Sequence, residues 1–541
     1  MFCHVLSAVI SGVDALPVMV EADVSDGMPQ FTIVGFVSSQ VREAQDRVRT
    51  AVRNLGVSMP PRRITINLAP GDLRKDGSRF DLPIAAAVLQ ALGVIPGDAF
   101  RDTLIAGELH LDGSTERITG VLPTVLLARE RGCRACLLPA GNVREGRVVE
   151  GIRVIGIRDL EELAAYGRGV YTEDDEATCS TAGSGSGEEN AYSVDFGDIR
   201  GQEAVKRASL IAAAGFHNLL LSGPPGSGKS MAAQRIPTIL PELTQEESLE
   251  ISRIYSIAGL LSEEEPLMRR RPFRAPHHTI TPAALCGSGL HPRPGEITLA
   301  HRGVLFLDEI PEMDRGRGKG TIDLLRQPLE ERKITISRAG GTCTYPASFL
   351  LVAAMNPCPC GYWPDRRRCS CSVKEVRQYQ ARVSQALLDR IDLRCEVNAA
   401  EYDDLVTGSQ DGTTSAVMRE KVIQACVYQR ERYAGTGILF NSELSAPDMH
   451  RYCETTAEAG QLLRMAFRTL GLSARGYHHV LRVARTIADL EGAEKIGEVH
   501  VSEALCFRCG DLETPDTGSG KSIVQKERKP RVRERKERRR S

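Results

Sequence analysis

Over the first 170 residues the spacing of apolar positions switches repeatedly between two periods. FTIVGF and RRITINLAP carry short β-branched runs, whereas VREAQDRVRTAVRNLG sets its apolar residues at helical spacing and closes on Gly56. This alternation predicts an α/β unit over residues 1–170. The segment that follows, TEDDEATCSTAGSGSGEEN, is polar and rich in Gly and Ser, so a flexible linker is expected over 171–192. The runs LLLSGP, GVLFLDEI and SFLLVAAMN are then almost continuously apolar, each bounded by glycine, proline or a helical pattern. Such runs predict buried strands of a parallel sheet covered on both faces, in a second α/β unit over 193–400. From 401 to 512 the pattern is helical throughout, as in SARGYHHVLRVARTIADLEG. Residues 513–541 are of low complexity and basic, and a disordered tail is expected there.

A chain of 541 residues exceeds what one hydrophobic core organises, in keeping with several modules. With 42% hydrophobic and 26% charged residues, and no uninterrupted run near the roughly 18 apolar residues of a membrane helix, a soluble protein with no membrane partner is expected. The opening MFCHVLSAVISGVDALPVMVEAD lacks a basic leader and is broken by Gly12, Asp14 and Pro17. It predicts strands, not a secretory signal, and hence a cytoplasmic location. The net charge of −1 hides a basic stretch from Lys521 to Ser541 balanced by an acidic remainder. Fifteen cysteines in such a chain point to reduced thiols or metal ligands ahead of a disulfide framework.

The sharpest chemical signal is GPPGSGKS, formed by Gly223, Pro224, Pro225, Gly226, Ser227, Gly228, Lys229 and Ser230, between an apolar run and a helical pattern. Glycines let the backbone curl until N–H groups face phosphates, Lys229 supplies a point charge to the β and γ phosphates, and the Ser230 hydroxyl reaches Mg²⁺. ATP and Mg²⁺ are therefore the expected cofactors. Downstream, GVLFLDEIPE ends an apolar strand in two carboxylates, where Asp308 can orient metal-bound water and Glu309 can polarise the attacking water. SFLLVAAMN ends in Asn356, whose amide can position that water. Read alone, an Asn at a strand end is a turn former, Arg390 in LLDRIDLR is a surface ion pair and Arg475 in LSARGY is a solvated helix residue.

The segments RAPHHTI, PRPGEITLAHRGVLFLDEIPE, LRQPLEERKITISRA and MNPCPCGY closely resemble the Mg-chelatase-like ComM/YifB family of AAA+ ATPases, and the resemblance runs over about residues 1 to 510. It implies Walker A at Lys229 and Ser230, Walker B at Asp308 and Glu309, sensor 1 at Asn356, an arginine finger at Arg390 and sensor 2 at Arg475. It also implies a homo-hexameric ring and a DNA motor, a helicase of branch migration in natural transformation and recombination. A magnesium-chelatase-like metal-insertion motor and a chaperone-like protein remodeller are the alternatives. The segments VGF, RVRTAVRNLG, INLAPGDLRKDGSRFDLPIA and AGELHLDG look like the family's N-terminal domain, similar in fold to the Lon protease domain (ribosomal S5 domain 2-like). The implied architecture is thus a Lon-like α/β domain, a P-loop AAA+ α/β core, a C-terminal helical lid and the tail. KDGS at Lys75 to Ser78 invites a Ser–Lys dyad, but Phe80, Asp81 and Pro83 replace the nucleophile's context and GVLPTVLLA offers no lysine, so no protease is expected. Two features depart from the family pattern: His478, His479 and Val480 where YHRIL is expected, and the basic tail.

Cys358, Cys360, Cys369 and Cys371, in CPC and CSC pairs, supply enough thiolates for a tetrahedral Zn²⁺ site, with thiols packed under a loop as the alternative. His277 and His278 are expected to serve an insertion loop, since adjacent histidines in a strand point to opposite faces and no carboxylate is spaced to complete a metal site. ERKITISRAGGTCTYP reads as a hairpin that carries Lys333 and Arg338 near a glycine turn, and both are candidate DNA phosphate contacts. The tail, poor in aromatics, offers only electrostatic affinity for nucleic acid or none.

Overall fold

The structure, a computed structural model, describes residues 2–171, 192–287, 293–314, 320–338, 341–398 and 413–509. All but the two end residues of the expected linker, and the whole basic tail, lie outside the described residues.

The first sheet has seven strands: β1 (Phe2–Ser11), β2 (Asp14–Ser25), β3 (Gln30–Val34), β4 (Arg63–Ala69), β5 (Thr103–Ile105), β6 (Ala135–Pro139) and β7 (Arg153–Ile157), in the order β3-β4-β2-β1-β5-β6-β7. The opening segment is the antiparallel β1–β2 hairpin, and its turn is possible because Gly12 takes φ 63°. Helix α1 (Ser39–Asn54) starts where the Ser38 hydroxyl accepts the Val41 N–H, and it buries Val41, Ala44, Val48, Ala51 and Val52, the stripe that its spacing predicts. Helix α2 (Asp81–Ala91) is buried along its whole length. Its Asp81 is compensated by a bidentate Arg47 from α1, at 2.7 and 3.0 Å.

The second sheet contains β8 (Leu219–Ser222), β9 (Phe273–Arg274), β10 (Val304–Leu307), β13 (Leu350–Met355) and β14 (Leu393–Glu396), all parallel, in the order β9-β10-β13-β8-β14. Between β10 and β13 the chain makes an antiparallel hairpin of β11 (Lys333–Arg338) and β12 (Gly341–Pro346). The three apolar runs are thus the sheet's three central strands, whereas the outer β9, only two residues long, and β14 had no comparable signal.

Helices dominate the described residues 413–509, among them α3 (Ser415–Arg432), α4 (Ala457–Thr469), α5 (Ala474–Leu490) and α6 (Glu498–Cys509). Their apolar faces merge with those of β8, β10 and β13 in one core that includes Leu221, Phe306, Val352, Val422, Ala484 and Val501. A buried carboxylate organises the polar part of this region: Asp489 receives Arg432 at 2.6 and 3.0 Å, Arg485 at 3.1 Å and the Asn441 amide at 2.8 Å. Among the described residues no helix is long and apolar enough to cross a membrane.

Where the first sheet's unit meets helix Gln245–Ala258, one residue bonds in three directions. The Ser256 carbonyl accepts the Gly120 N–H at 2.9 Å, and its hydroxyl accepts the Leu122 N–H at 3.3 Å and donates to Glu145 at 2.5 Å. Burial pushes the Glu145 carboxyl upward, and the Ser256 hydrogen bond opposes this. Arg117 with Glu263, at 3.0 Å, and Arg253 with Asp14 flank the contact.

Candidate nucleotide site

The P-loop leaves the carboxyl end of β8 and enters helix Lys229–Ile239, with Gly226 at φ 77° and Gly228 at φ 90°. Only glycine adopts these angles without strain, and open space lies where their Cβ atoms would be, so the loop has the concavity that phosphates need. The Lys229 ammonium folds into that concavity and donates to the carbonyls of Gly223 (2.7 Å) and Pro224 (2.8 Å) and to Asn356 Oδ1 (3.1 Å). Burial lowers its pKa, opposed by the charges of Asp308 and Glu309. The Ser227 hydroxyl is buried and has no partner among the described residues.

Asp308 and Glu309 follow β10, and Asn356 follows β13, so all three lie at the same sheet end as the P-loop. The Ser230 hydroxyl donates to Asp308 Oδ2 at 2.8 Å, which puts two hard oxygen donors side by side, as Mg²⁺ requires. Glu309 has φ 50°, an uncommon conformation for a residue with a side chain. Its carboxylate opens into a cavity of about 390 Å³ shared with His278, Asn356 and Tyr379.

Arg390 and Arg475 stand elsewhere, together. Both place a guanidinium nitrogen 2.7 Å from the same oxygen, Glu330 Oε1. The Arg390 carbonyl accepts from Asn218, the residue just before β8, so this pair marks the amino end of the sheet, about 13 Å of strand away from the P-loop. The structure therefore does not bring either arginine to its own chain's Lys229.

Two expectations need correction. His277 and His278 do have a carboxylate at hand: in the loop beyond β9, which ends at Arg274, their ring centroids are 4.1 Å apart, and His278 Nδ1 lies 3.2 Å from Glu309 Oε2. In the hairpin the register pairs Arg338 with Gly341 beside the turn, but Lys333 with Pro346 at the open end. Lys333 is exposed there, five residues or about 17 Å of strand from the turn. The side chain of Arg338 lies outside the described residues.

The four cysteines do converge. Sγ of Cys358 is 3.3 Å from that of Cys360 and 3.8 Å from that of Cys369, and all four sulfurs lie within 4.8 Å of one another. A tetrahedral site with Zn–S bonds of about 2.3 Å has S–S edges of about 3.8 Å, so the donors fit such an ion. Although burial acts against it, the Tyr362 N–H and the neighbouring thiols pull the Cys360 thiol down to about 6, toward the thiolate that a metal needs. The loop then presses on the phosphate cradle: Gly361, at φ 88°, is so close to Pro225 that a Cβ would come within 2.5 Å of its ring.

Comparison with known proteins decides the family. The description "Magnesium chelatase, subunit ChlI" matches residues 195–405, "Subunit ChlI of Mg-chelatase" matches 20–142, and "Magnesium chelatase, subunit ChlI C-terminal" matches 412–508. The competence protein ComM of Haemophilus influenzae is 40% identical over 508 residues, covering 93% of this chain and 97% of its own. An uncharacterized protein of Mycobacterium tuberculosis is 40% identical over 503 residues, with 93% and 97% covered, and the uncharacterized YifB of Escherichia coli is 38% identical over 501, with 92% and 96% covered. The chain belongs to the ComM/YifB family of magnesium-chelatase-like proteins. Membership in the ComM/YifB family implies use of ATP and Mg²⁺, in keeping with the cradle around Lys229.

Among the described residues, Lys229 supplies the ammonium of that cradle, and replacing it removes that charge. Lys229→Ala is expected to weaken binding of a fluorescent ATP analogue by at least about tenfold, whereas Glu309→Gln, one step outside the cradle, is expected to bind it as the parent chain does.

Proposed function

We propose that this protein is a Mg²⁺-dependent AAA+ ATPase that assembles as a ring, a hexamer by family resemblance, and moves on DNA as a helicase of branch migration. Hydrolysis is supported by the meeting of Lys229, Ser230, Asp308, Glu309 and Asn356 at one sheet end. In this reading Mg²⁺ neutralises phosphate charge beside Ser230 and Asp308, Glu309 takes the proton of the attacking water, and Asn356 orients that water.

The ring is supported by one observation: Arg390 and Arg475 share Glu330 at the end of the sheet away from their own chain's P-loop. Placed against a neighbour's γ phosphate, they would stabilise charge spread over its equatorial oxygens, a role worth about 10³-fold or more in rate. DNA as the substrate is supported by the name of the competence relative and by the hairpin that sets Arg338 beside its turn. Residues 1–170 serve in this proposal as a Lon-like scaffold or binding module. Lys75 is fully buried and donates to the Pro70 carbonyl while Ser78 donates to Glu108, so the two do not form a dyad.

ATP hydrolysis should rise when single-stranded, duplex or branched DNA is added. Stimulation by a porphyrin instead would support the metal-insertion reading that the chelatase descriptions favour, and stimulation by unfolded protein would support a remodeller. Arg390→Ala subunits should bind ATP yet hydrolyse it poorly, and mixing them with Lys229→Ala subunits should restore part of the activity. No restoration in rings shown by light scattering to be mixed would place Arg390 in its own chain's service. We propose in addition that the four cysteines hold Zn²⁺: elemental analysis should find about one zinc per chain, lost in Cys358→Ser/Cys369→Ser. Metal-free protein from a chelator-free preparation would leave packed thiols.

A further inference from the structure

Glu309 is the proposed base, and its carboxylate faces a residue from another strand's loop. His278 Nδ1 lies 3.2 Å from Glu309 Oε2, and both side chains line the same cavity as Asn356. A carboxylate attached only through its own rotamers can turn either oxygen toward a water molecule. With Oε2 drawn to the His278 ring nitrogen across 3.2 Å, the carboxylate has a preferred orientation and Oε1 remains for the water. His278 is itself braced, because its ring lies against that of His277, whose Nδ1 accepts the Thr279 N–H at 3.3 Å.

The contact has little to do with holding the fold together. The side chains of His278 and Glu309 are 32% and 48% exposed, and a pair so open to solvent contributes little to stability. Glu309, meanwhile, is held at φ 50°, the kind of backbone conformation that persists where the surroundings fix it and that clusters at functional sites. We infer that His278 is a positioning residue for hydrolysis, fixing one oxygen of Glu309 so that the other faces the attacking water. This rests on the reading of Glu309 as the base.

The test uses the full chain with Mg²⁺–ATP. His278→Ala should lower kcat about tenfold or more while KM, binding of a fluorescent ATP analogue and the unfolding midpoint stay within error. His278→Asn keeps a side-chain N–H and should recover part of the loss, and His277→Ala should lose less than His278→Ala. A kcat that is unchanged or raised in His278→Ala, with Glu309→Gln inactive, overturns the positioning role alone. Turnover that survives Glu309→Gln overturns both this inference and the base on which it stands.

Discussion

Three adjacent strands running the same way impose the arrangement on which the rest depends. β10, β13 and β8 pair in parallel with Leu307 opposite Ala353 and Ser222 opposite Met355. Whatever follows each strand must then emerge at one level and at one edge. The P-loop, the Asp308–Glu309 pair and Asn356 are far apart in the chain but become neighbours for this reason. The Lys229 ammonium records the result: it touches two carbonyls of its own loop and the amide at the end of the next strand. A shift in strand register would separate them even if every motif were intact.

The opposite edge of the same sheet carries the complementary charge chemistry. Arg390 is tied there through the Asn218 side chain, whose Oδ1 also accepts the Leu351 N–H, so the arginine is fastened to the starts of both β8 and β13. In the proposed ring one rigid sheet would present a phosphate cradle at one end and two guanidinium groups at the other. Glu330, shared by both arginines, is the counter-charge that a phosphate would replace. The unit built on the first sheet touches this apparatus through Ser256 and its neighbours, at hydrogen-bonding distance and without a large polar gap.

What was legible in the sequence was what is local. The P-loop declares itself because its glycines and Lys229 are consecutive, and the cysteine cluster because one loop supplies all four sulfurs. The central strands were readable from their apolar runs. The pairing of His278 with Glu309 was not, because the two follow different strands and no spacing along the chain joins them. The position of Lys333 was misjudged because register, not distance along the sequence, decides which end of a hairpin a residue occupies. The meeting of Arg390 and Arg475 on Glu330 joins three separate segments, and no periodicity announces it. The helical region's apolar stripes were visible, but not that they close over β8, β10 and β13 in a common core.

The cysteine loop does more than collect sulfurs. By running back across the P-loop it becomes the outer wall of the cradle, and the wall is thin where Gly361 meets Pro225. A side chain at position 361 would therefore have to push Pro225 of the P-loop aside. Two sites that look separate along the chain share a partition, and the mould for the phosphates is cast partly from the loop that gathers the thiols.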